Sequence, residues 1–359
     1  MRIAILLDEY LPSSTRVHSK MLHELALQFK SCGHLPIVIT PGTPFQKSKL
    51  VIDYLDGIEV WRFKSGYTKG VGLVRRAGTE FLLPFRAWHA IKLKVKESNF
   101  DLCINYSPTI FFGPLAYIFR SRGAYVYLVL RDMFPQWAID QGLLYEWSLP
   151  TRFFRYFETL NYRNSDCIGV MSKGNLDIFR EKFPAFKNIQ ILRNWASTVA
   201  PAIDSRGEEF ITKLGIKDKI IFFYGGNIGH AQDMGSIMRL AQNLKVDRRA
   251  HFLIIGQGNE YNLIQDMKIN WELDNVTILP SISQSAFSGI VAAIDVGLFS
   301  LSYKHSAHNF PGKILGYMIA SKPILGCVNP GNDLLTLINT SKSGLVFIAG
   351  EDKLLAEAA

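Results

Sequence analysis

Short apolar runs alternate with segments of helical period along nearly the whole chain. Each run has four to six residues and little polar content, which is typical of strands in a parallel sheet buried on both faces. We predict strands at Ile3–Leu7, Ile37–Thr40, Ile58–Phe63, Leu102–Asn105, Tyr125–Leu130, Cys167–Met171, Ile189–Leu192, Ile220–Tyr224, Phe252–Ile255, Val276–Leu279, Val296–Ser300, Pro323–Cys327 and Leu345–Ile348.

The segments between the strands predict helices. In Arg16–Ser31, apolar residues recur at helical spacing, and Gly33 would end the helix. The residues expected to face the core are Val17, Met21, Leu25 and Leu27. The repeated β-α order predicts an α/β chain of two doubly wound, parallel-sheet, Rossmann-like domains.

The two domains are expected to meet at a polar, proline-containing stretch, residues 194–208. We therefore predict an N-terminal domain over residues 1–195 and a C-terminal domain over residues 196–359. Two such domains facing each other would place a ligand cleft at the carboxyl ends of both sets of strands. The sequence ends with EDKLLAEAA, inside a predicted helix, as expected of a truncated C-terminus.

Charge is distributed unevenly between the two predicted domains. With 359 residues, of which 48% are hydrophobic and 20% charged, the chain has the composition of about two ordinary globular domains. The net charge is +9, but residues 1–195 carry 26 basic and 16 acidic side chains, whereas the rest carries 14 and 15. The basic excess therefore belongs to the N-terminal domain.

Cysteine spacing and hydropathy exclude several classes of protein. The four cysteines are far apart and form no C-x-x-C pair, which excludes a zinc ribbon, a thioredoxin-type site and a disulfide framework, and fits a reducing compartment. The start, MRIAILLDEY, lacks the features of a secretory signal. The uncharged stretches Leu102–Phe119 and Asn275–Ile294 contain proline and polar residues, so we interpret them as strand–loop–helix segments rather than membrane spans.

The strongest local motif is YGGNIGHAQD, residues 224–233, which joins a predicted strand to a helix predicted over Ala231–Leu244. Gly225, Gly226 and Gly229 would let a ligand approach the backbone, and the N–H groups of the helix start would bind a diphosphate. A tight turn without any ligand explains the same glycines equally well.

A second glycine motif, FLIIGQGNE, repeats the strand–glycine–helix pattern with Gly256 and Gly258. On its own it is weak evidence, because a left-handed turn would explain it. Two such loops after successive strands of one domain favour a nucleotide.

A third motif is SAHNFPGKILGYM, residues 306–318. Pro311 suits the first position of a helix, which would place His308 just before the N-terminus and Lys313 one turn in. A surface loop is the alternative for His308. Metal binding by His305 and His308 is not expected, because no carboxylate or cysteine lies close to them in sequence.

In the N-terminal half, polar residues follow the predicted strands. The loop DEYLPSSTR, residues 8–16, lacks G-x-G-x-x-G, which argues against a dinucleotide dehydrogenase. Asp132 follows the fifth strand in LRDMFPQW, where a carboxylate is a candidate base or sugar-binding group. A structural ion pair with Arg131 is an equally weighted alternative.

The order of these motifs resembles the family-4 glycosyltransferases of the GT-B fold. The resemblance covers nearly the whole chain, from the opening strand and CGHLPIVIT through RDMFPQW and both glycine motifs to the P-x-K-x-x-x-Y-M segment at Pro311. Three segments, RDMFPQWAIDQGLL, AHNFPGKILGYM and PILGCVNPGNDL, resemble a narrower group. That group is the N-acetyl-L-fucosaminyl transferases (WbuB-like) of bacterial O-antigen and capsule assembly.

The resemblance implies transfer of a sugar from a UDP-sugar to an acceptor hydroxyl, without a metal cofactor. For the narrower group, the donor would be UDP-N-acetyl-L-fucosamine. The acceptor would be a polyprenyl-diphosphate-linked sugar, N-acetylglucosamine, on the inner face of the bacterial plasma membrane. The chain contains no D-x-D motif, in agreement with a metal-independent reaction.

The sequence departs from this family at the glutamate pair that holds the donor sugar and the ribose. The two positions are His308 and Gly316 here. Because Gly316 has no side chain, another residue must contact the ribose, and Asn309, Asn332 and Asp333 are the candidates. The arginine of the family's glycine loop is also absent, and Asn227 and Gln232 lie near its position.

The polar residues at the strand ends and the family resemblance together give the candidate residues for the reaction. Glu9 and Asp132 are the candidate acceptor-side carboxylates, and Tyr106 falls where some relatives carry a histidine. Residues predicted to bind the UDP-sugar are Gly226, Asn227, Gly229, Gln232, Gly256, Gly258, His308, Asn309, Pro311, Gly312, Lys313, Asn332 and Asp333. Residues predicted to contact the acceptor or the membrane are Ser13, Ser14, Arg16, Arg75, Arg76, Arg86, Trp88 and Arg131.

The basic excess is concentrated in residues 64–96, where eight cations face Glu80 alone. Five apolar residues recur there at helical spacing: Phe81, Phe85, Trp88, Ile91 and Val95. The combination favours an amphipathic helix on an anionic membrane surface, with core packing as the alternative. A similar aromatic stretch covers residues 151–163, and there we favour core packing.

Three other functions stay open on the sequence alone. A UDP-sugar 2-epimerase of the same fold would need neither acceptor nor membrane. A non-catalytic sugar-nucleotide-binding protein would explain the missing glutamates. Nucleic-acid binding through the basic half is disfavoured, because no known binding motif is present and the aromatic residues have helical spacing.

Overall fold

The two halves of the chain separate between Arg193 and Asn194 in the computed structural model. We refer to Met1–Arg193 as unit 1 and to Asn194–Ala359 as unit 2. The structure describes residues 1–14, 16–66, 72–107, 109–140, 142–197, 205–304 and 310–359.

Unit 1 is built on one eight-stranded sheet. Its strands are β1 (Arg2–Leu6), β2 (Leu35–Pro41), β3 (Leu50–Leu55), β4 (Ile58–Phe63), β5 (Leu102–Ser107), β6 (Tyr125–Leu130), β7 (Cys167–Val170) and β8 (Ile189–Ile191). Their order in the sheet is β3-β4-β2-β1-β5-β6-β7-β8. Every neighbouring pair is parallel except β3 and β4.

Unit 2 is built on a six-stranded, fully parallel sheet. Its strands are β9 (Ile220–Asn227), β10 (Ala250–Gln257), β11 (Val276–Pro280), β12 (Val296–Ser300), β13 (Ile324–Val328) and β14 (Gly344–Ile348). Their order is β11-β10-β9-β12-β13-β14. The α/β fold with two parallel-sheet units agrees with the prediction from the apolar runs.

Helices connect the strands in both units. Unit 1 contains α1 (Val17–Ser31), α2 (Leu73–Phe81), α3 (Leu83–Glu97), α4 (Gly113–Ser121), α5 (Gln136–Asp140), α6 (Leu149–Arg163) and α7 (Lys173–Lys182). Unit 2 contains α8 (Ser205–Lys213), a 3-10 turn at His230–Gln232, α9 (Met234–Asn243), α10 (Tyr261–Asn270), α11 (Gln284–Ala293), α12 (Lys313–Ile319), α13 (Asp333–Thr340) and α14 (Asp352–Ala358).

Apolar side chains cover both faces of each sheet, which explains why the strands are apolar throughout. In β9, Phe223 belongs to a core cluster with Tyr317, whereas its neighbour Phe222 stacks on Phe252 on the other face, with ring centroids 5.0 Å apart. Successive side chains of a strand point to opposite faces, so both must be apolar here.

One strand of unit 1 departs from the predicted parallel arrangement, because β3 is an antiparallel edge strand. It pairs with β4 through a tight hairpin in which Asp56 and Gly57 both have positive φ, 50° and 72°. An Asp-Gly pair at such a turn is a strong hairpin signal, and our strand prediction overlooked it. Most residues of β3 are exposed, so the strand has no continuous apolar run.

The predicted inward face of the first helix also needs correction. In α1, Val17 is exposed, while Ser19 and His23 are buried with Met21, so the inward face is displaced from the predicted one. The reason is that Ser19 and His23 find buried hydrogen-bond partners, Ser14 and Tyr10. Gly33 ends the helix with φ 78°, as predicted.

The basic segment forms α2 and α3, and the apolar stripe predicted to meet lipid is divided between surface and core. Ile91 and Val95 are buried in the unit 1 core, and Trp88 packs against it. Phe85 is exposed. Core packing thus explains most of the stripe, because α3 lies on the sheet. Lys69 lies outside the described residues.

Among the described residues, no helix combines the length and the apolar character that crossing a bilayer requires. The same part of the chain contains no group of three or more His, Cys, Asp or Glu side chains placed to hold a metal ion.

Candidate functional site

The sheet of unit 1 has a topological switch point between β1 and β5. The chain runs from β1 to β2 on one side, and β5 lies on the other side. In open α/β sheets, ligands bind in the crevice at the carboxyl ends of two such strands. Asp8 and Glu9 follow β1 closely, and Tyr106 and Ser107 end β5.

A compact group of charged side chains occupies this switch point. Glu9 forms an ion pair with Arg16, with Oε1 2.6 Å from Nε. The Nε2 atom of His18 lies 3.7 Å from Oδ1 of Asp8 and 3.8 Å from Oε1 of Glu9. The His18 ring stacks on Tyr106, with centroids 5.0 Å apart. We call Asp8, Glu9, Arg16, His18 and Tyr106 the acidic cluster.

Burial changes the protonation of the carboxyl groups in this region. The pKa of Asp8 is raised to about 6, mainly by burial and then by the negative charge of Glu9. The pKa of Asp132 is also raised by burial, against the opposing effect of Arg131 and Arg16. Carboxyl groups with raised pKa values beside a ligand crevice are suited to accept a proton near neutral pH.

The buried polar oxygens at the switch point include Oδ1 of Asp8 and Oγ of Ser107, which have no hydrogen-bond partner among the described residues. Buried polar atoms are ordinarily satisfied in folded proteins. Unsatisfied acceptors and hydroxyls beside a crevice are suited to a hydroxylated ligand such as a sugar.

The contacts of Arg131 bear on whether Asp132 is a base or sugar-binding group or only its structural ion-pair partner. Arg131 is buried, and its Nη1 donates to the Leu192 carbonyl at 2.8 Å and its Nη2 to the Arg193 carbonyl at 3.5 Å. Burial lowers the pKa of Arg131 to about 10. Arg131 therefore holds the end of unit 1, and its charge acts on Asp132 at the same time.

The serines predicted to meet the acceptor are engaged within their own loop. Ser13 donates to the carbonyl of Tyr10, and the buried Ser14 accepts hydrogen bonds from Ser19 and from the backbone N–H of Arg16. These contacts shape the turn into α1.

The predicted cations of α2 and α3 have different surroundings. Arg76 pairs with Glu80, with Nε 2.7 Å from Oε1, and its charge also acts on the acidic cluster through Asp8 and Glu9. Arg75 is exposed, and the Nη1 atom of Arg86 is buried.

Unit 2 has its own switch point between β9 and β12. The glycine motif of residues 225–229 ends β9 there. Gly226 is exposed and has φ 128°, a conformation that favours glycine. The side chain of Asn227 donates to Oε1 of Gln232 at 2.6 Å, and the two amides thus cross-link the loop.

The helix after this loop begins later than predicted. Residues His230–Gln232 form a 3-10 turn, and α9 starts at Met234 after Asp233 in a left-handed conformation, with φ 43°. His230 in this turn binds Glu260, with Nδ1 2.7 Å from Oε1. The motif therefore continues into a second tight turn before the helix.

The second glycine motif has a packing explanation. A Cβ atom on Gly256 would lie 1.9 Å from the carbonyl oxygen of Gly226, and one on Gly258 would lie 1.9 Å from that of Ile228. Gly256 and Gly258 therefore let β10 and its loop pack against the first glycine loop. Whether they also contact a ligand stays a prediction.

Lys313 is the most unusual side chain of unit 2. Its Nζ atom is buried, lies 3.4 Å from the ring centroid of Tyr224, and has no hydrogen-bond partner among the described residues. It also lies 3.6 Å from the point that a Cβ of Gly226 would occupy. Burial lowers the pKa of Lys313 well below its usual value, because the charged form loses its hydration.

An unpaired ammonium beneath an exposed glycine is suited to an anion at the loop. The glycine removes the side chain that would shield the ammonium, and the ring of Tyr224 holds it by a cation–π contact. A diphosphate at Gly226 would supply the missing negative charge.

The remaining donor predictions are placed as follows. Pro311 and Gly312 precede α12, which begins at Lys313, so Pro311 is not its first residue and Lys313 does not lie one turn in. A Cβ on Gly316 would meet open space, so the packing leaves room there. His308 and Asn309 lie outside the described residues.

Asn332 has a structural role that sequence reasoning missed. Its Oδ1 accepts from the N–H of Leu334 and caps α13, while its Nδ2 donates to Oδ1 of Asn329 at 2.8 Å. Asp333, the first residue of α13, is half-buried. Sequence reasoning also missed Asp8 and His18, although the Asp-Glu pair directly after a core strand was a usable signal.

Sequence comparison finds similar proteins that match the chain over part of their length. No family model matches the chain. It is 24% identical over 219 residues to a probable glycosyltransferase, WbjE, of Pseudomonas aeruginosa, covering 60% of this chain and 54% of that protein. It is 24% identical over 204 residues to the putative colanic acid biosynthesis glycosyl transferase WcaI of Escherichia coli K12, covering 55% and 50%. The chain thus matches about half the length of these curated relatives.

Solved structures resemble the chain over nearly its whole length. Sucrose-phosphate synthase of Thermosynechococcus elongatus has a TM-score of 0.74 at 13% identity, covering 99% of this chain and 88% of that one. WaaG, a glycosyltransferase involved in lipopolysaccharide biosynthesis, has a TM-score of 0.65 at 15% identity, with coverage of 99% and 88%. Anabaena HepE in complex with UDP-glucose has a TM-score of 0.66 at 15% identity, with the same coverage. The chain has the GT-B fold.

Proposed function

We propose that this chain is a glycosyltransferase of bacterial polysaccharide or lipopolysaccharide biosynthesis that moves a sugar from a UDP-sugar to an acceptor hydroxyl. Unit 2 binds the donor and unit 1 binds the acceptor. Both curated relatives are described as glycosyltransferases, and a structural neighbour, HepE, is solved with UDP-glucose. These similarities support the class of reaction.

The observation that carries the proposal is the buried ammonium of Lys313 beneath Gly226. The structure keeps a cation without a carboxylate or hydrogen-bond partner, among the described residues, directly below a loop whose backbone is exposed. Such an arrangement is costly unless a negatively charged ligand completes it. A nucleoside diphosphate has the charge and the size for this loop.

The reaction breaks the bond between C1 of the sugar and the β-phosphate oxygen, and negative charge grows on UDP as it leaves. Lys313 and the backbone N–H groups of the glycine loop would stabilise that charge. We propose that the donor site works without a metal for this reason. The new bond joins C1 to the acceptor oxygen, whose proton passes to a carboxylate of unit 1.

Three carboxylates of unit 1 are candidates for that proton. Glu9 is paired with Arg16, with Oε1 2.6 Å from Nε. Burial raises the pKa values of Asp8 and Asp132, so each binds a proton more readily than an ordinary aspartate does. We propose that Asp132 and Asp8 serve the acceptor, with Glu9 and Tyr106 shaping the crevice.

The finer identity of the substrates is also a proposal. The narrower resemblance at RDMFPQW and AHNFPGKILGYM supports UDP-N-acetyl-L-fucosamine as donor. It supports a polyprenyl-diphosphate-linked N-acetylglucosamine as acceptor, which the protein would reach at the inner face of the plasma membrane. The basic excess of residues 1–195 supports an anionic lipid surface as partner.

The test is a transfer assay with a panel of UDP-N-acetylhexosamines and a lipid-diphosphate N-acetylglucosamine acceptor. Release of UDP and the mass of the glycolipid product are measured with and without EDTA. Transfer from at least one donor in both conditions is expected. Absence of transfer from every donor would contradict the proposed function, and loss of transfer with EDTA would contradict only the metal-independent donor site.

A further inference from the structure

Aromatic side chains are concentrated on the exposed surface of unit 1 around the start of α6. Trp147 is 88% exposed, Tyr145 83% and Leu149 78%. We call the whole set of exposed side chains the aromatic surface: Trp137, Leu143, Tyr145, Trp147, Leu149, Phe153 and Tyr156. Contiguous exposed apolar patches of this kind mark interaction sites.

The aromatic surface is held in place by hydrogen bonds. The hydroxyl of Thr151 donates to the carbonyl of Tyr145 at 2.7 Å, and the N–H of Ser148 donates to the same carbonyl at 3.0 Å. The side chain of Ser148 caps α6. Tyr145 and Trp147 are therefore displayed on an ordered turn, and the helix continues their surface through Phe153.

Ring contacts extend this surface to the junction of α2 and α3. Phe81 lies between Phe153 and Phe85, with ring centroids 5.8 Å from each. Phe85 and the neighbouring Leu82 are exposed. The junction thus adds two more apolar side chains beside α6.

Cations border the aromatic surface. Arg152 precedes Phe153 and is exposed. On α3, Lys92 and Lys96 follow Phe85 at intervals of seven and eleven residues, so they lie on the same side of the helix. Lys96 is exposed and Lys92 half-buried. A line of positive charge therefore leads away from the aromatic surface along α3.

The acidic side chains of the same segment are engaged. Asp140 accepts a hydrogen bond from Nε2 of Gln136 at 2.7 Å, and Glu146 lies 3.6 Å from Nη2 of Arg155. The ion pair with Arg155 offsets the charge of Glu146, while the hydrogen bond from the neutral amide of Gln136 leaves the charge of Asp140 in place.

We propose that the aromatic surface is where the protein docks on a bilayer rich in anionic phospholipid. Tryptophan and tyrosine have an apolar body and a polar tip, and they favour the interface between lipid tails and headgroups. Lysine and arginine at the border attract the anionic headgroups. Aromatic tips with a cationic border fit a lipid surface better than a second copy of this basic unit, whose charges would repel.

This proposal rests on the proposed function, because docking on the bilayer would bring the enzyme to its lipid-linked acceptor. It places the main lipid contact on α6 and the turn before it, where the sequence favoured core packing. On α3 it retains only the outer face, with Phe85, Lys92 and Lys96.

The test measures binding of the 359-residue chain to vesicles of phosphatidylcholine with about one third phosphatidylglycerol, without donor or acceptor. The variant Tyr145→Ser/Trp147→Ser is compared with Phe45→Ser/Tyr54→Ser, which removes two exposed aromatic side chains elsewhere on unit 1. Circular dichroism checks that both remain folded. We expect the first variant to bind vesicles about tenfold more weakly and the second to bind like wild type.

A second comparison isolates the charged border. Lys92→Gln/Lys96→Gln should lower binding to anionic vesicles about fivefold for each lysine and leave binding to pure phosphatidylcholine unchanged. Equal vesicle binding by the wild type and Tyr145→Ser/Trp147→Ser would overturn the proposal. A wild-type chain that does not bind anionic vesicles would also overturn it. A self-association that this variant abolishes while vesicle binding persists would assign the surface to a second copy and also overturn it.

The outcome is separable from that of the proposed function. A chain that binds vesicles but transfers no sugar contradicts the glycosyltransferase proposal alone. A chain that transfers sugar to a short, water-miscible acceptor analogue but does not bind vesicles contradicts the docking surface alone.

Discussion

The ammonium of Lys313 gives a sharp test of the donor site. It is buried 3.4 Å from the ring centroid of Tyr224 and has no hydrogen-bond partner among the described residues. In Lys313→Met, the side chain is one atom shorter and keeps an apolar stem of similar shape, while the ammonium over the Tyr224 ring, its charge and its three N–H donors are lost. Ligand binding and stability should therefore change in opposite directions.

The magnitudes follow from the two environments of the ammonium. A hydrogen bond between charged groups contributes about 1.5–3 kcal/mol, so Lys313→Met should weaken UDP binding roughly 10- to 150-fold. Without ligand, exchange of the unpaired buried cation for an apolar group should raise the free energy of unfolding by about 1–4 kcal/mol.

The sign of the pH dependence adds a second signature. The pKa of Lys313 is lower in the folded chain than its usual 10.5, so the unfolded chain binds more protons between the two values. Stability of the wild type should therefore rise with pH across that window, and Lys313→Met should lack this slope. A bound diphosphate favours the charged form, so UDP binding by the wild type should take up a proton and weaken as pH rises.

The assay is titration calorimetry of UDP at two pH values and in two buffers of different ionisation enthalpy, with thermal unfolding alongside. Lys322→Met, beyond the far end of α12, is the matched control and should bind UDP like wild type. Unchanged UDP affinity in Lys313→Met would refute the donor-site assignment. A variant less stable than wild type would show that the ammonium has a partner of its own.

Asp8→Asn should lower turnover at least 100-fold and remove the fall in kcat/KM expected below about pH 6, because the pKa of Asp8 is raised to about 6. The same variant should melt at a higher temperature at pH 7, since a carboxyl whose pKa is raised on folding destabilises the protein once it is ionised; a lower Tm would contradict this. Asp132→Asn should lower turnover far more than UDP affinity, and equal loss of both would exclude an acceptor-side role. Gly256→Ala should destabilise unit 2 by about 1–3 kcal/mol or more and weaken UDP binding, because its Cβ would lie 1.9 Å from the Gly226 carbonyl oxygen. Gly78→Ala, where a Cβ would meet open space, is the control. Equal melting temperatures of Gly256→Ala and the wild type would argue against the close packing of the two glycine loops.

The sheets could be predicted because their strands are buried on both faces. The runs Ile58–Phe63, Tyr125–Leu130 and Val296–Ser300 match β4, β6 and β12 residue for residue. The exception is β3, whose outward side chains dilute the apolar signal, and there only the Asp-Gly turn could have revealed the strand.

The candidate site was harder to predict. The end of a predicted strand indicates which residues lie near the site, but it does not indicate which side chains contact one another. Asp132 and Glu9 follow β6 and β1, which sequence reasoning could locate. That His18 lies beside Asp8 depends on how α1 returns over the sheet. That Lys313 lies beneath Gly226 depends on a contact across 87 positions of chain, which spacing cannot disclose.

The close approach of Gly256 and Gly258 to the first glycine loop has a consequence for redesign of donor preference. The two loops behave as one backbone unit, so their glycines are constraints on shape rather than positions to vary. The adjustable positions are the exposed Asn227 and its partner Gln232, whose side chains meet each other on the loop surface. A library confined to those two positions would sample new nucleotide-sugar contacts while the backbone that presents them stays unchanged.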